Sequence, residues 1–99
     1  MIEGTYLLQV DTPLGRKEGI AELVANGGQL EACVDAPIIG KQEATGTLDG
    51  NRFTASGEIK VLLKGKVHYS LEGEVDETGV LVAKLVTNKG DFTVLGARM

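Results

Sequence analysis

Few residues of this sequence have side chains that could do chemistry. It contains one histidine, His68, and one cysteine, Cys33. A metal site needs several converging Cys, His or carboxylate ligands, and a reactive cysteine needs surroundings that lower its pKa. Polar and apolar residues alternate around both, which predicts outward positions on separate strands, with Cys33 between Glu31 and Asp35. The sequence therefore predicts no metal site, and nothing in it favours a Cys–His dyad.

Acidic residues are numerous, with 14 Asp and Glu in the chain, but their positions do not suggest catalysis. A glycosidase-type pair must flank one cleft, whereas these residues fall mostly at outward strand positions or in turns. The run Asp76-Glu77-Thr78-Gly79 lacks the ligand spacing of an EF-hand, and no Gly-x-x-x-x-Gly-Lys-Ser/Thr phosphate loop is present. We therefore predict no enzyme, no catalytic residue and no cofactor. An enzyme that uses Tyr69 or carboxylates near the turns is the alternative.

Composition limits the partners and the location. The formal net charge is −4 and the isoelectric point is about 4.9, which argues against nucleic acid and anionic membranes because both attract basic patches. No apolar run approaches the roughly 18–20 residues that span a bilayer. The start, Met1-Ile2-Glu3-Gly4-Thr5, lacks the basic region of a signal peptide. We expect a single domain over residues 1–99, located in the cytoplasm.

Glycines and short alternating segments predict the fold class. The chain has 14 glycines, 2 prolines and no helix-length segment of period 3.6, and turn signals recur about every ten to thirteen residues. Evenly spaced short strands are typical of sandwiches and barrels. We predict an all-β protein, an eight-stranded antiparallel up-and-down closed barrel with no substantial helix. Its predicted strands cover residues 3–11, 17–25, 29–35, 42–48, 53–62, 66–75, 80–87 and 91–98.

Three turns predict how neighbouring strands pair. Two-residue turns at Gly50-Asn51 and at Asn26-Gly27 suit tight hairpins. A three-residue bulged turn after Asp76 keeps apolar residues on one face, whereas a two-residue turn there would not. The residues predicted to face each other are Leu48 and Phe53, Leu23 and Leu30, Val75 and Leu81, and Leu71 and Leu85.

One apolar face runs through all the predicted strands, and the opposite face is largely polar. Glycines also occupy inward positions, where a missing side chain usually marks a bend or a close approach of two backbones. The alternative is that these missing side chains open an internal cavity. The inward glycines are Gly4, Gly19, Gly46, Gly57, Gly73 and Gly96, and the inward apolar residues include Tyr6, Leu8, Val34, Ile59, Val61 and Val94.

The two ends of the chain carry a pair of motifs, Gly4-Thr5-Tyr6 in the first strand and Gly96-Ala97-Arg98 in the last. Over its whole length the chain resembles the calycin superfamily of lipocalins and fatty-acid-binding proteins, and also small bacterial lipocalin-like proteins. In calycins a Gly-x-aromatic motif opens the first strand, and an arginine of the last strand packs across that aromatic ring. The resemblance implies that Gly4, Tyr6, Gly96 and Arg98 close the barrel rather than bind a ligand. Tyrosine stands here in place of the usual tryptophan, and the helical lid of the fatty-acid-binding proteins is missing.

We expect the barrel to bind a small hydrophobic or amphipathic molecule. An eight-stranded barrel is either just filled by side chains or just wide enough for one small ligand. Small inward residues (Ala21, Ala32, Ala44, Ala55 and Ala83) favour the second case. The candidate ligand-binding residues are Tyr69, Leu23, Leu30, Phe53, Leu71, Leu85 and Phe92.

The alternative is a structural or assembly protein with a filled core. Such a protein would form a homodimer through apolar residues on the outer face of its strands. The candidate dimer face is the strand-seven row Val80, Val82 and Val86, to which Ile20, Val24 and Leu95 of other strands add further outward apolar residues. The two hypotheses differ in the free volume inside the barrel.

Overall fold

The computed structural model describes residues 2–13, 15–37, 40–61, 65–88 and 90–99. Glycine-rich and proline-containing connections separate segments of strand period, and within the described residues every regular element is a strand. No described helix is long and apolar enough to cross a membrane. The strands are β1 (Gly4–Thr12), β2 (Gly15–Asn26), β3 (Gln29–Ala36), β4 (Gly40–Asp49), β5 (Arg52–Val61), β6 (Gly65–Val75), β7 (Val80–Thr87) and β8 (Gly90–Arg98).

Each strand pairs antiparallel with the next along the chain, and β8 returns to pair with β1. The closing ladder runs from Tyr6 opposite Arg98 to Val10 opposite Val94. Closure gives every strand two neighbours and so leaves no free edge strand. The predicted fold class, an eight-stranded antiparallel meander closed into a barrel, is confirmed.

The predicted pairing is confirmed at two turns and wrong at one. Leu48 lies opposite Phe53, and Val75 lies opposite Leu81. Leu23, however, lies opposite Ala32 rather than Leu30, because the two-residue turn is Gly27-Gly28 and Asn26 still pairs within the ladder. The pairing register differs from the predicted one by an even number of residues, so every side chain still points to the face that was predicted. The side chain of Val61 and the predicted strand end at Leu62 lie outside the described residues.

The barrel has two unlike ends. The lower end holds both chain termini and the connections that follow β2, β4 and β6, and the upper end holds the other connections. At the lower end inward side chains form a closely packed core, and Tyr6 is completely buried. At the upper end most of the inward apolar side chains are only partly buried. The lower-end core includes Ile2, Tyr6, Leu23, Leu30, Phe53, Val75 and Leu81, and the partly buried set includes Leu8, Val10, Val34, Leu71 and Leu85.

Inward glycines mark close contacts in the wall. A Cβ atom added to Gly73 would lie 2.6 Å from the Cβ atom of Ala83 and 2.8 Å from Cζ of Phe53. At Gly46 it would overlap the backbone carbonyl of Thr54. At Gly57 the space is taken by the Tyr69 ring, which comes within 3.3 Å of the same constructed atom. These glycines therefore allow close approach, as predicted, and their missing side chains do not themselves open a cavity.

Candidate functional site

A cavity of about 240 Å³ lies inside the barrel. It exists because six of the inward positions around it are alanines, whose methyl groups cannot fill the centre of the barrel. Five of them, Ala21, Ala32, Ala44, Ala55 and Ala83, are the set of small inward residues predicted from the sequence, and Ala36 is the sixth. Nearly all of the remaining wall consists of aliphatic and aromatic side chains, including Leu8, Val10, Val34, Ile59, Leu81 and Val94.

The structure places most of the predicted ligand-binding residues on this cavity. Those that line it are Tyr69, Leu23, Leu30, Phe53, Leu71 and Leu85. Phe92 does not line it. Phe92 lies opposite Leu85 in the β7–β8 ladder and so keeps its predicted inward face, and its ring comes within 3.5 Å of a Cβ atom constructed on Gly90.

Tyr69 brings a polar group to the cavity wall. It lies opposite Gly57 and Thr87 in the two ladders of β6. Burial raises the pKa of its hydroxyl, so the group stays protonated at neutral pH and can donate a hydrogen bond. Among the described residues none forms a hydrogen bond with this hydroxyl. Ring packing over Gly57 explains the orientation of the side chain, and the hydroxyl is left for solvent or a ligand.

Other polar side chains also occupy inward positions near the upper end. Lys17, Gln42 and Thr87 line the cavity together with Tyr69. Lys17, Gln42 and Thr87 were not predicted from the sequence. Thr12 lies opposite Gly15 in the β1–β2 ladder, so Val10 lies opposite Lys17 and Lys17 is on the inward face. The spacing between Thr12 and Gly15 is the sequence feature from which this position could have been predicted. The cavity surface itself is almost entirely apolar, so the polar groups of these side chains border the cavity at its upper end rather than form its wall.

The barrel wall is incomplete beside this cavity. β4 pairs with β5 only from Gly46 opposite Ala55 to Asp49 opposite Arg52, at the lower end. Residues 40–45 and 56–61 have no backbone pairing with each other in the described structure, although residues 40–45 pair fully with β3 and residues 56–61 pair fully with β6. Gln42, Ala44 and Ile59 line the cavity beside this gap.

The lower end is closed by contacts between the chain termini. The Arg98 guanidinium lies 5.4 Å from the centre of the Tyr6 ring, within the range of a cation–π contact. Arg98 Nη2 also donates to the Tyr6 hydroxyl at 2.9 Å, and that hydroxyl donates to the Ile2 carbonyl at 2.7 Å. Gly4 gives the arginine room, since an added Cβ atom would lie 3.2 Å from Arg98 Nε. At Gly96 an added Cβ atom would meet the Leu8 side chain at 2.8 Å.

The outer face carries one contiguous apolar patch. Val80, Ala97, Leu7 and Ile20 lie side by side across β7, β8, β1 and β2, and Val82 and Leu95 form an adjacent pair. We call these six residues the outer apolar patch. Leu7 was not among the outward apolar residues predicted from the sequence, because only its inward neighbours in the strand were counted as apolar. Two predicted members lie apart from the patch: Val86 is opposite Ser70 and Asp91, and Val24 is opposite Glu31.

The remaining polar candidates do not form a reactive cluster. Cys33 is exposed. His68 Nδ1 lies 3.3 Å from a Glu58 oxygen that is itself part of an exposed carboxylate, and Lys66 lies 3.4 Å from the same carboxylate. The described residues contain no group of three or more His, Cys, Asp or Glu side chains arranged to hold a metal ion.

A second concavity lies on the outer side of the wall. It has a volume of about 580 Å³ and crosses β5, β6, β7 and β8 above Gly73. Its exposed walls mix both charges, with Arg52 paired to Glu74 at 3.7 Å. The groove is larger than the interior cavity, but it is more open to solvent and lacks the enclosure that small-molecule sites need.

Comparison with known proteins supports the architecture. No family model matches this sequence, and the curated proteins contain no match to it. Among solved structures the chain is similar to one described as a redesigned beta barrel, with a TM-score of 0.71 and 14% sequence identity. The superposition covers 99% of this chain and 91% of the designed one. At this identity the similarity shows the fold alone: an eight-stranded antiparallel barrel.

Proposed function

We propose that this protein binds a small apolar or amphipathic molecule inside the barrel and performs no chemistry on it. The observation that carries the proposal is the interior cavity of about 240 Å³ with an almost entirely apolar wall. Apolar cavities of about 150 Å³ stay dry and accept benzene-sized molecules. Filling such a space with a ligand recovers dispersion contacts that the facing side chains otherwise lack. The resemblance to calycins agrees with this proposal.

The volume sets the size of the ligand. Scaling from a benzene-sized guest, 240 Å³ corresponds to a molecule of about eight to ten non-hydrogen atoms. At about 0.7 kcal/mol per atom such a ligand binds with a Kd of tens of micromolar. Long-chain lipids and large ring systems exceed the space.

Titration with 1-octanol, followed by protein NMR up to millimolar concentration, tests the proposal. Ala44 lines the cavity and faces Ala32, so Ala44→Leu fills the space beside the gap. We expect wild-type protein to bind and Ala44→Leu to lose at least tenfold in affinity. Thr45→Leu introduces the same side chain one residue along on the exposed outer face, and it is the matched control. A folded wild-type sample that shows no shifts, or equal binding by both variants, contradicts the proposal.

Self-association through the outer apolar patch is the second candidate. Its support is the uninterrupted row Val80, Ala97, Leu7 and Ile20, beside Val82 and Leu95, since an exposed cluster of this kind favours contact with another surface. A standard interface takes roughly 20–30 residues from each partner, so the patch would form only its centre. Sedimentation of wild type, Val82→Lys and the control Val86→Lys tests it. The patch is excluded if wild type is monomeric at millimolar concentration, or if both variants dissociate equally.

A further inference from the structure

Charge is divided unequally between the two faces of the barrel wall. All 14 acidic residues lie at outward strand positions, in the turn after β6 or, in the case of the exposed Glu3, just before β1. Within the described strands the charged residues at inward positions are Lys17 and Arg98, and both are cations. The chain as a whole carries a net charge of −4. Inward positions of the described strands thus carry positive charge only, at the two ends of the barrel, where both side chains are exposed.

The two inward cations differ in what they contact. Arg98 is at the lower end, where it lies across Tyr6 and donates to the Tyr6 hydroxyl. Lys17 is at the upper end, opposite Val10, and it lines the cavity. Arg98 is thus committed to closing the barrel, whereas Lys17 borders the space that the ligand would occupy.

Nearby carboxylates have other partners. Asp11 binds Arg16 at 3.1 Å on the outer face. Glu18 borders the cavity next to Lys17, but its carboxylate accepts a hydrogen bond from Gln9 Nε2 at 3.4 Å, which places it on the outer side of the wall. No ion pair links Lys17 to an acid among the described residues. An anion at the upper end would therefore meet an ammonium group without displacing an existing pair.

We infer that the ligand is a small organic anion, with its apolar part in the cavity and its charged group at the upper end beside Lys17. The inference rests on the proposed function and specifies its ligand class and orientation. An ammonium group attracts a nearby anion more strongly than it attracts a neutral molecule of the same shape. The neutral Tyr69 hydroxyl, on the opposite side of the barrel, supplies a second donor at this end.

Octanoate and 1-octanol are a matched pair of probes, because both have an eight-carbon chain and only octanoate is charged at pH 7. We expect wild-type protein to bind octanoate about fivefold more tightly than 1-octanol at low salt, the size of an exposed ion pair. In Lys17→Met this preference should vanish or reverse, because a carboxylate is costlier to desolvate than a hydroxyl. Lys17→Arg should keep it. Lys84→Met removes a lysine from an outward position on β7 and should leave both affinities unchanged.

The possible results distinguish a failure of this inference from a failure of the proposed function. Equal affinities for the two probes in the wild-type protein, or an octanoate preference that survives in Lys17→Met, overturn the inference while octanol binding still supports an apolar site. Failure of both probes to bind contradicts the proposed function and the inference together. An unchanged NMR spectrum for most residues of Lys17→Met shows that the variant is folded.

Discussion

The lower and upper ends of this barrel are built from the same strands but have different packing. At the lower end Tyr6 is fully buried, hydrogen-bonded and covered by Arg98. Two residues further along the same strand, Leu8 points into the same interior but is only partly buried and borders the cavity. The difference shows that a meander barrel can place its stability at one end and free volume at the other.

The cause of the difference is the distribution of large and small residues along the strands. Leu23, Leu30, Phe53 and Leu81 meet at the lower end, whereas alanines face one another around the middle of the barrel, as Ala32 faces Ala44. These large side chains fill the lower section and line the cavity from below, whereas methyl groups cannot fill the section above them. The β4–β5 gap adds to the contrast, because backbone pairing there stops at Gly46.

The largest effect should come from emptying the lower end. Tyr6→Ala removes a fully buried ring and two hydrogen bonds of its hydroxyl, so we expect a loss of about 3–5 kcal/mol in the free energy of unfolding. Leu8→Ala enlarges a cavity that already exists and should cost about 1–2 kcal/mol. Urea unfolding measures both. Equal losses would contradict the division of the barrel into a packed end and an open end.

The next effect concerns the glycines of the wall. Gly73→Ala brings a methyl group against Ala83, the Val82 carbonyl and Phe53, which costs about 2–3 kcal/mol because backbone atoms cannot move aside easily. Gly57→Ala meets only the Tyr69 side chain, at 3.1 Å or more, so a small rotation of that ring can relieve it. We expect a loss below about 1 kcal/mol there. Thermal unfolding distinguishes the two, and similar losses would refute the assignment of Gly73 as the closer contact.

The smallest effect is a pH dependence at the lower end. Hydrogen bonds from the Thr78 hydroxyl and from the Val80 and Thr78 amides lower the pKa of the exposed Asp76 carboxyl. A group whose pKa is lowered by folding contributes stability above its unfolded pKa of about 3.9 and loses it as pH falls through the folded value. We therefore expect the melting temperature of Asp76→Asn to fall less steeply than that of the wild type as the pH is lowered from about 4 to about 2. If the melting temperatures of the variant and the wild type depend equally on pH, other carboxyls account for the acid sensitivity.

Sequence patterns predicted the fold accurately because strand period and turn residues are local properties. The turn at Gly50-Asn51 set its register correctly, since only one two-residue turn keeps Leu48 and Phe53 on one face. The Gly27-Gly28 turn was misplaced by one residue, because Asn26, Gly27 and Gly28 all suit a turn and either register keeps the same faces inward. Strand period and turn residues thus predicted which residues face inward, but not which inward residues lie opposite each other on neighbouring strands.

The sequence by itself determined an all-β chain, its turns, the inward position of the alanines and the outward position of the acids. The tertiary structure decided that these alanines leave a cavity, that Phe92 does not line it, and that β4 and β5 separate above Gly46. It also brought Lys17 to the cavity and Leu7 to the outer apolar patch. The physical reason is that facing depends on alternation along one strand, whereas free volume depends on the radius of the closed barrel, which all eight strands set together.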